Sequence, residues 1–318
     1  MANTGTIEFN VLEGLLRTVE CGAFKWCLQA TEPRPNVRPS NGRYFNLVCL
    51  PKMESRTSLW KCEARGTFTY DFRTKSAAWK NTFDQNHTAF YMDTGDGTIW
   101  SVCITGVESL FVDFADPKNS LIQGSADAVK VKVDGTNLWL SKDVLSSRSP
   151  FFDAFFNGDF KEKATDSYAL DGVKLGEFIV FIGLIHGFGS AGPNNVAFLM
   201  KLADEYQCKT VMHKCVEFLR IDGGLHLPVE ERLNLQRKGQ LHKLPIVAKI
   251  YLAEKFKLRP LLMEMIEALS YGELKALPWK YNRTHERELS EDTMRLRELR
   301  MMCFGSDGTD HVGALPIH

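Results

Sequence analysis

Leu138-Trp139-Leu140-Ser141-Lys142-Asp143-Val144-Leu145-Ser146-Ser147-Arg148-Ser149-Pro150-Phe151-Phe152 is the stretch on which the reading of this chain turns. Upstream of it, Ala128-Val129-Lys130-Val131-Lys132-Val133 alternates at period two. Asp134-Gly135 then supplies the dipeptide of a tight hairpin, and Leu138-Trp139-Leu140 forms the returning strand. From Ser141 the apolar period becomes helical. Val144, Leu145, Phe151, Phe152, Phe155 and Phe156 fit a helical hairpin interrupted at Ser149-Pro150. Ser is a natural N-cap there and Pro a natural first helical residue.

Toward the C-terminus the helical period continues. Leu175, Phe178, Ile179, Ile182 and Ile185 keep the 3-and-4 spacing of one buried face. Val196, Leu199, Met200 and Ala203 repeat it after the Gly192–Asn195 break, and Cys208, Val211, Met212, Cys215 and Phe218 repeat it again. Residues 125–219 are therefore predicted to form one α+β unit. Segments 228–236, 244–256 and 258–269 read as short helices of an extension over 220–276. From Pro278 the chain turns polar and charge-mixed; Thr293–Met302 could form one amphipathic turn or two, but 277–318 reads as a mostly mobile tail.

Toward the N-terminus, Asp116-Pro117-Lys118-Asn119-Ser120 reads as a linker. Before it, short aromatic and β-branched runs alternate at period two: 44–50, 59–65, 68–72, 89–92, 98–104 and 110–114. In 59–65, Trp60, Cys62 and Ala64 share one face, and Lys61, Glu63 and Arg65 the other. Turn-rich stretches at 32–39 and 93–97 are loops on this reading. Seven or eight strands over residues 1–115 indicate an antiparallel β-sandwich, so the whole is an α+β multidomain chain.

The 318 residues carry 39 Lys+Arg against 39 Asp+Glu. A net charge of zero argues against an electrostatic nucleic-acid binder. With 44% hydrophobic and 25% charged residues, the composition is that of a folded globular chain, without the disorder signature. No apolar run approaches a membrane span, and Met1-Ala2-Asn3-Thr4-Gly5 lacks the basic-then-apolar pattern of a secretory signal. Eight cysteines without a Cys-x-x-Cys then read as reduced core thiols of a cytoplasmic or nuclear protein.

The templates for chemistry fail in turn. There is no Gly-x-Ser-x-Gly, no phosphate-binding loop and no dinucleotide fingerprint. Cys208, His213 and Cys215 form a Cys-x4-His-x-Cys array, but on a helix the two thiols share the buried face and His213 points elsewhere. Asp93 and Asp96 are too few carboxylates for a calcium loop. No catalytic residue, metal site or cofactor is expected, and the chain does not read as an enzyme.

Residues 127–219 are similar to the BTB/POZ family. The resemblance rests on Asp127-Ala128-Val129 opening the hairpin, on the 138–152 stretch with its Ser-Pro-Phe-Phe step, and on Leu199–Cys208 as the penultimate helix and its turn. The family usually has His where this chain has Ser141, which puts the polar core around Asp127 in question. The resemblance implies a homodimer through the first helix and its neighbours, with Val144, Leu145, Phe151 and Phe152 at the interface. Phe151, Phe152, Phe155 and Phe156 occupy two faces of one short helix; either one face serves a partner or all four rings enter the core.

Family members that recruit a cullin scaffold of ubiquitin ligases carry a hydrophobic-x-Glu tripeptide after the second helix. Phe160-Lys161-Glu162 fits it here, implying a cullin-binding site. The 220–276 helices resemble the extension that widens the cullin contact, most closely at Ile250–Leu258. The N-terminal sandwich resembles a MATH-like (TRAF-like) module, an arrangement abundant in nematodes, on Trp26, Leu59-Trp60-Lys61-Cys62 and Trp79. The resemblance implies a dimeric, non-enzymatic substrate adaptor of a cullin–RING ubiquitin ligase. Its expected partners are a second copy, a cullin and an unknown protein substrate, with neither nucleic acid nor membrane. A BTB/POZ scaffold for transcriptional or cytoskeletal assembly, without cullin recruitment, is the competing reading.

Overall fold

The structure is a computed structural model that describes residues 7–10, 18–21, 23–31, 44–70, 75–85, 87–92, 99–158, 168–223, 244–285 and 288–304. The chain divides into two compact units, Met1–Ser190 and Ala191–His318. The loops expected at 32–39 and 93–97 and the helix expected at 228–236 lie outside the described residues.

Eight strands build the sandwich: β1 (Ile7–Asn10), β2 (Val19–Cys21), β3 (Phe24–Thr31), β4 (Tyr44–Pro51), β5 (Ser58–Tyr70), β6 (Lys75–Asp84), β7 (Ala89–Met92) and β8 (Ile99–Asp113). They form two antiparallel sheets, β1-β8-β5-β6 and β2-β3-β4-β7. The expected alternation holds along β5, where Trp60, Cys62 and Ala64 are buried while Lys61 and Glu63 pair at 2.9 Å on the outer side. Aromatic rings lock the sheets face to face: Trp26 of β3 meets Phe83 of β6 at 5.2 Å, and Phe24 of β3 meets Trp60 of β5 at 5.4 Å.

Two expectations merge here. Segments 59–65 and 68–72 fall mostly on the single strand β5, and 98–104 and 110–114 mostly on β8. The interruption of period is a bulge rather than a turn. Arg65 pairs with Gly106 and Gly66 with Ile104, leaving Thr105 as the extra residue. Gly66 is required at this crossing, because a Cβ there would sit 1.9 Å from the Cys103 carbonyl oxygen.

Past the sandwich, β9 (Ala128–Val133) and β10 (Thr136–Ser141) form the expected hairpin. Asp134 (φ 47°) and Gly135 (φ 79°) both take positive φ, the requirement of a two-residue type I′ turn. β11 (Tyr168–Leu170) adds in parallel to β9, giving the order β10-β9-β11. Helices α1 (Lys142–Arg148), α2 (Pro150–Asn157) and α3 (Leu175–Ile185) complete the first unit. α3 is buried on more than the predicted stripe, since Phe181 and Leu184 join Leu175, Phe178, Ile179, Ile182 and Ile185 in the core.

The second unit is helical: α4 (Val196–Glu205), α5 (Lys209–Gly223), α6 (Ile246–Lys255), α7 (Arg259–Glu267), α8 (Tyr271–His285) and α9 (Glu291–Met302). Arg220 of α5 grips Glu264 of α7 through two bonds of 2.7 and 2.8 Å. Lys249, fully buried on α6, pairs with Asp222 of α5 at 2.8 Å, and the same carboxylate accepts the Leu244 N–H at 3.0 Å. Cys208 and Cys215 are buried in this unit, whereas His213 is exposed.

The stretch expected to be a mobile tail departs most from expectation. Its residues 277–302 carry the second half of α8 and all of α9, with Tyr281, Leu289, Thr293, Leu296 and Arg300 buried. Polarity was read as solvation, but here polar groups dock against one another. Glu254 of α6 accepts hydrogen bonds from the Tyr281 hydroxyl, the Ser290 N–H (3.0 Å) and hydroxyl (2.7 Å), and the Thr293 hydroxyl. Pro278 inside α8 has no N–H to give the Leu274 carbonyl, and Arg297 Nε of α9 takes that place at 2.6 Å. Residues 305–318 lie outside the described residues.

Candidate protein-interaction site

The segment from Asp127 to Gly158 is assembled by its own caps. Asp127 is the hub. Its Oδ1 accepts from the Ser141 hydroxyl at 2.9 Å and the Asp143 N–H at 2.9 Å, while its Oδ2 accepts from the Gln123 N–H at 3.0 Å. Burial works to raise its pKa, but these donors outweigh it and hold the carboxyl below the usual aspartate value. Ser141 thus serves the polar core where the family usually has His, and its hydroxyl also accepts the Val144 N–H as N-cap of α1. Burial holds the His186 imidazole below its ordinary pKa in spite of the Asp127 carboxylate.

Ser149 ends α1 and begins α2, its hydroxyl accepting the Phe152 N–H at 3.1 Å, with Pro150 at the first helical position. α2 sorts its four rings by face. Phe152 and Phe156 are buried and stack at 5.7 Å, while Phe151 and Phe155 are half-buried and stack at 5.5 Å. Tyr168 of β11 closes on both Phe155 and Phe156 at 5.1 Å. Of the two readings left open by the sequence, one buried face and one outward aromatic face is the arrangement found.

The four residues expected at a dimer interface divide the same way. Leu145 and Phe152 have no exposed surface and are committed to the core of their own chain. Val144 and Phe151 are half-buried and keep surface for a partner. Periodicity alone could not divide them, because adjacent positions at the start of a short helix straddle both faces.

Phe160, Lys161 and Glu162 lie outside the described residues. What surrounds them is ordered. Gly158 caps α2 through its N–H to the Ala154 carbonyl at 2.8 Å, and Tyr168 pairs with Val131 in the sheet. The tripeptide falls in sequence among the nine residues between Gly158 and Tyr168.

A second surface was missed by the sequence reading. On α8, Trp279 is 63% exposed, with the Arg283 guanidinium 5.3 Å from its ring. Pro278, Asn282, Leu289 and Met294 complete a groove of about 740 Å³. The signal was a Trp flanked by Pro and Lys in a segment set aside as tail. Among the described residues no cluster of three or more His, Cys, Asp or Glu could hold a metal ion, and no helix is long and apolar enough to cross a membrane.

Residues 121–222 match the BTB/POZ domain family. The chain therefore carries a BTB/POZ domain behind a β-sandwich, the build of a protein-interaction adaptor. More particularly, it is similar to nematode proteins of the BTB-and-MATH type. It is 24% identical to BTB and MATH domain-containing protein 36 of Caenorhabditis elegans, over 71% of this chain and 80% of that protein. BTB and MATH domain-containing protein 38 of the same organism is 24% identical, over 62% of this chain and 56% of its own length. Protein 45 of that series is 27% identical over 114 residues.

Proposed function

We propose that this chain is a dimeric, non-enzymatic substrate adaptor of a cullin–RING ubiquitin ligase. The sandwich holds the target, the BTB/POZ domain dimerises and docks the scaffold, and the helical extension of 220–276 widens that contact. The observation that supports this reading most is the position of Phe160-Lys161-Glu162, directly after the capped end of α2 and ahead of β11. An aromatic residue among charged neighbours in a connecting segment suits an anchor that fills a partner's pocket. The exposed Trp279 with its groove supplies a second anchor of the type enriched at interfaces.

The half-buried pair Val144 and Phe151 supports self-association through α1 and α2. Two sandwiches and two scaffold sites in one assembly raise the effective concentration of a multivalent target without any new contact. No chemistry on the target is assigned to this chain.

The test is a pull-down of a purified cullin N-terminal domain by wild type and by the Phe160→Ala, Glu162→Ala double variant, with light scattering on both. The expected result is capture by wild type, loss of capture by the variant, and the dimer mass for each. Equal capture by both proteins overturns the site, and a monomer mass for wild type at micromolar concentration overturns the dimer.

A further inference from the structure

Leu59 and Val112 are cross-strand partners on β5 and β8, and Trp60, next to Leu59, lies in the sandwich core. By alternation both belong to the outer face, which in an antiparallel sandwich meets water. Both are nevertheless 1% exposed, as is Phe114 just beyond the strand. Helix α3 of the BTB/POZ domain covers Leu59. Gly183 faces it so closely that a Cβ there would lie 2.9 Å from Leu59 Cδ1.

The segment expected to be a free linker adds hydrogen bonds to this contact. The Phe114 N–H donates to the Thr57 carbonyl at 3.0 Å, and the Phe114 carbonyl accepts the Trp139 N–H at 2.7 Å. Asn119, itself 6% exposed, donates through Nδ2 to the carbonyls of Trp139 and Asp116, both at 3.0 Å. Its Oδ1 accepts the Leu121 N–H at 3.2 Å. Trp139 sits on β10, the edge strand of its sheet, and its outward N–H is filled by Phe114 at the end of the sandwich and its carbonyl by Asn119 of the linker.

We propose that these contacts form a clamp that fixes the sandwich to β10 and α3 of the BTB/POZ domain. Domains joined by a short polar linker move relative to one another by default. Here an apolar outer-face patch and a two-ended bridge to Trp139 remove that freedom. A target held by the sandwich is presented at a set distance and direction from the BTB/POZ surface, and the length of target that the assembly can serve is set by that geometry. The clamp goes beyond the scaffold reading and stands whether or not a cullin binds.

The experiment uses the full chain and trypsin, which cuts after the exposed Lys118 of the linker, with small-angle X-ray scattering alongside. In wild type, cutting at Lys118 is expected only as fast as the chain unfolds globally, with scattering that fits one fixed arrangement. Gly183→Leu drives a side chain into Leu59, and Asn119→Ala removes one end of the bridge to Trp139. Each is expected to speed cleavage at Lys118 about tenfold or more, since cleavage follows the open population, and to broaden the scattering profile. Leu59→Ala opens the same contact from the outer face of the sandwich, away from its inner core, and is expected to act alike even if the Gly183 variant fails to fold. Rapid cleavage of wild type at Lys118 with both parts still folded overturns the clamp. So does a Leu59→Ala variant cut no faster than wild type. Cullin capture by these variants is expected to stay at the wild-type level, so failure of the clamp and failure of the scaffold reading are told apart.

Discussion

Helices α2 and α9 both begin on a serine whose hydroxyl accepts the N–H three residues on, yet they are held in place by opposite means. α2 is anchored by what it carries: Pro150 at its start, Phe152 and Phe156 in the core, and Asn157 bonded to Asp153 at 2.8 Å one turn away. α9 is anchored by what it meets. Thr293 and Ser290 reach Glu254, Arg297 reaches the carbonyl freed by Pro278, and buried Arg300 lies 4.8 Å from the Phe304 ring. Apolar area drives the first, and hydrogen bonds to acceptors distant in sequence drive the second.

The comparison breaks most readily at Phe152. Phe152→Ala is expected to cost about 3–5 kcal/mol, read by chemical denaturation, because a fully buried ring leaves a cavity as well as lost contacts. A cost no larger than that of a surface change would mean α2 is not held by its apolar face. Glu254→Ala comes next, at about 2–3 kcal/mol, since it removes a charged acceptor shared by three side chains. Hydrogen exchange should then show α9 losing protection while α2 keeps it; equal loss in both would erase the distinction.

Acid sharpens the same contrast. Burial works to raise the pKa of Glu254, but hydrogen bonds from Thr293, Tyr281 and Ser290 outweigh it and hold the carboxyl below its ordinary value of 4.5. A carboxyl depressed on folding stabilises above its unfolded pKa, and that contribution is lost as pH falls through the folded one. Protection of α9 against exchange, corrected for the intrinsic amide rate, is therefore expected to fall as pH drops below 4.5, and Glu254→Gln to flatten that fall. Asp127 shares the depressed direction, so α1 should loosen in the same acid range. Smaller again is Ser149→Ala, at about 1 kcal/mol for a lost cap. Smallest in the single chain is Phe151→Ala, whose effect should fall on self-association, seen as a concentration-dependent mass by light scattering.

The same contrast explains what could be read from the sequence. The hairpin, the Ser149 cap and α2 were legible because each signal lies within a few residues of what it controls: Asp134-Gly135 for the turn, Ser149-Pro150 for the helix start. The sandwich was legible as alternation, although the bulge at Thr105 passed for a break between strands because one extra residue reverses the phase. α9 was legible only as an amphipathic turn or two at 293–302 and its docking was not, since nothing near Thr293 or Arg297 announces Glu254 or the Leu274 carbonyl. The division of Val144 and Phe151 from Leu145 and Phe152 needed the fold, and so did the role of Gly183, which shows only once Leu59 lies opposite. Phe160-Lys161-Glu162 was legible as a resemblance, and its assignment rests on that together with the fixed ends around it.

The central claim is that the connection after α2 recruits a cullin scaffold. Affinity purification of the full chain from cells of a nematode, followed by mass spectrometry, tests it most directly when wild type and the Phe160→Ala, Glu162→Ala variant are run side by side. The account predicts a cullin and its RING partner with wild type, both lost with the variant, and the sandwich-bound targets retained by both. Targets recovered with wild type but no cullin in either sample would contradict it.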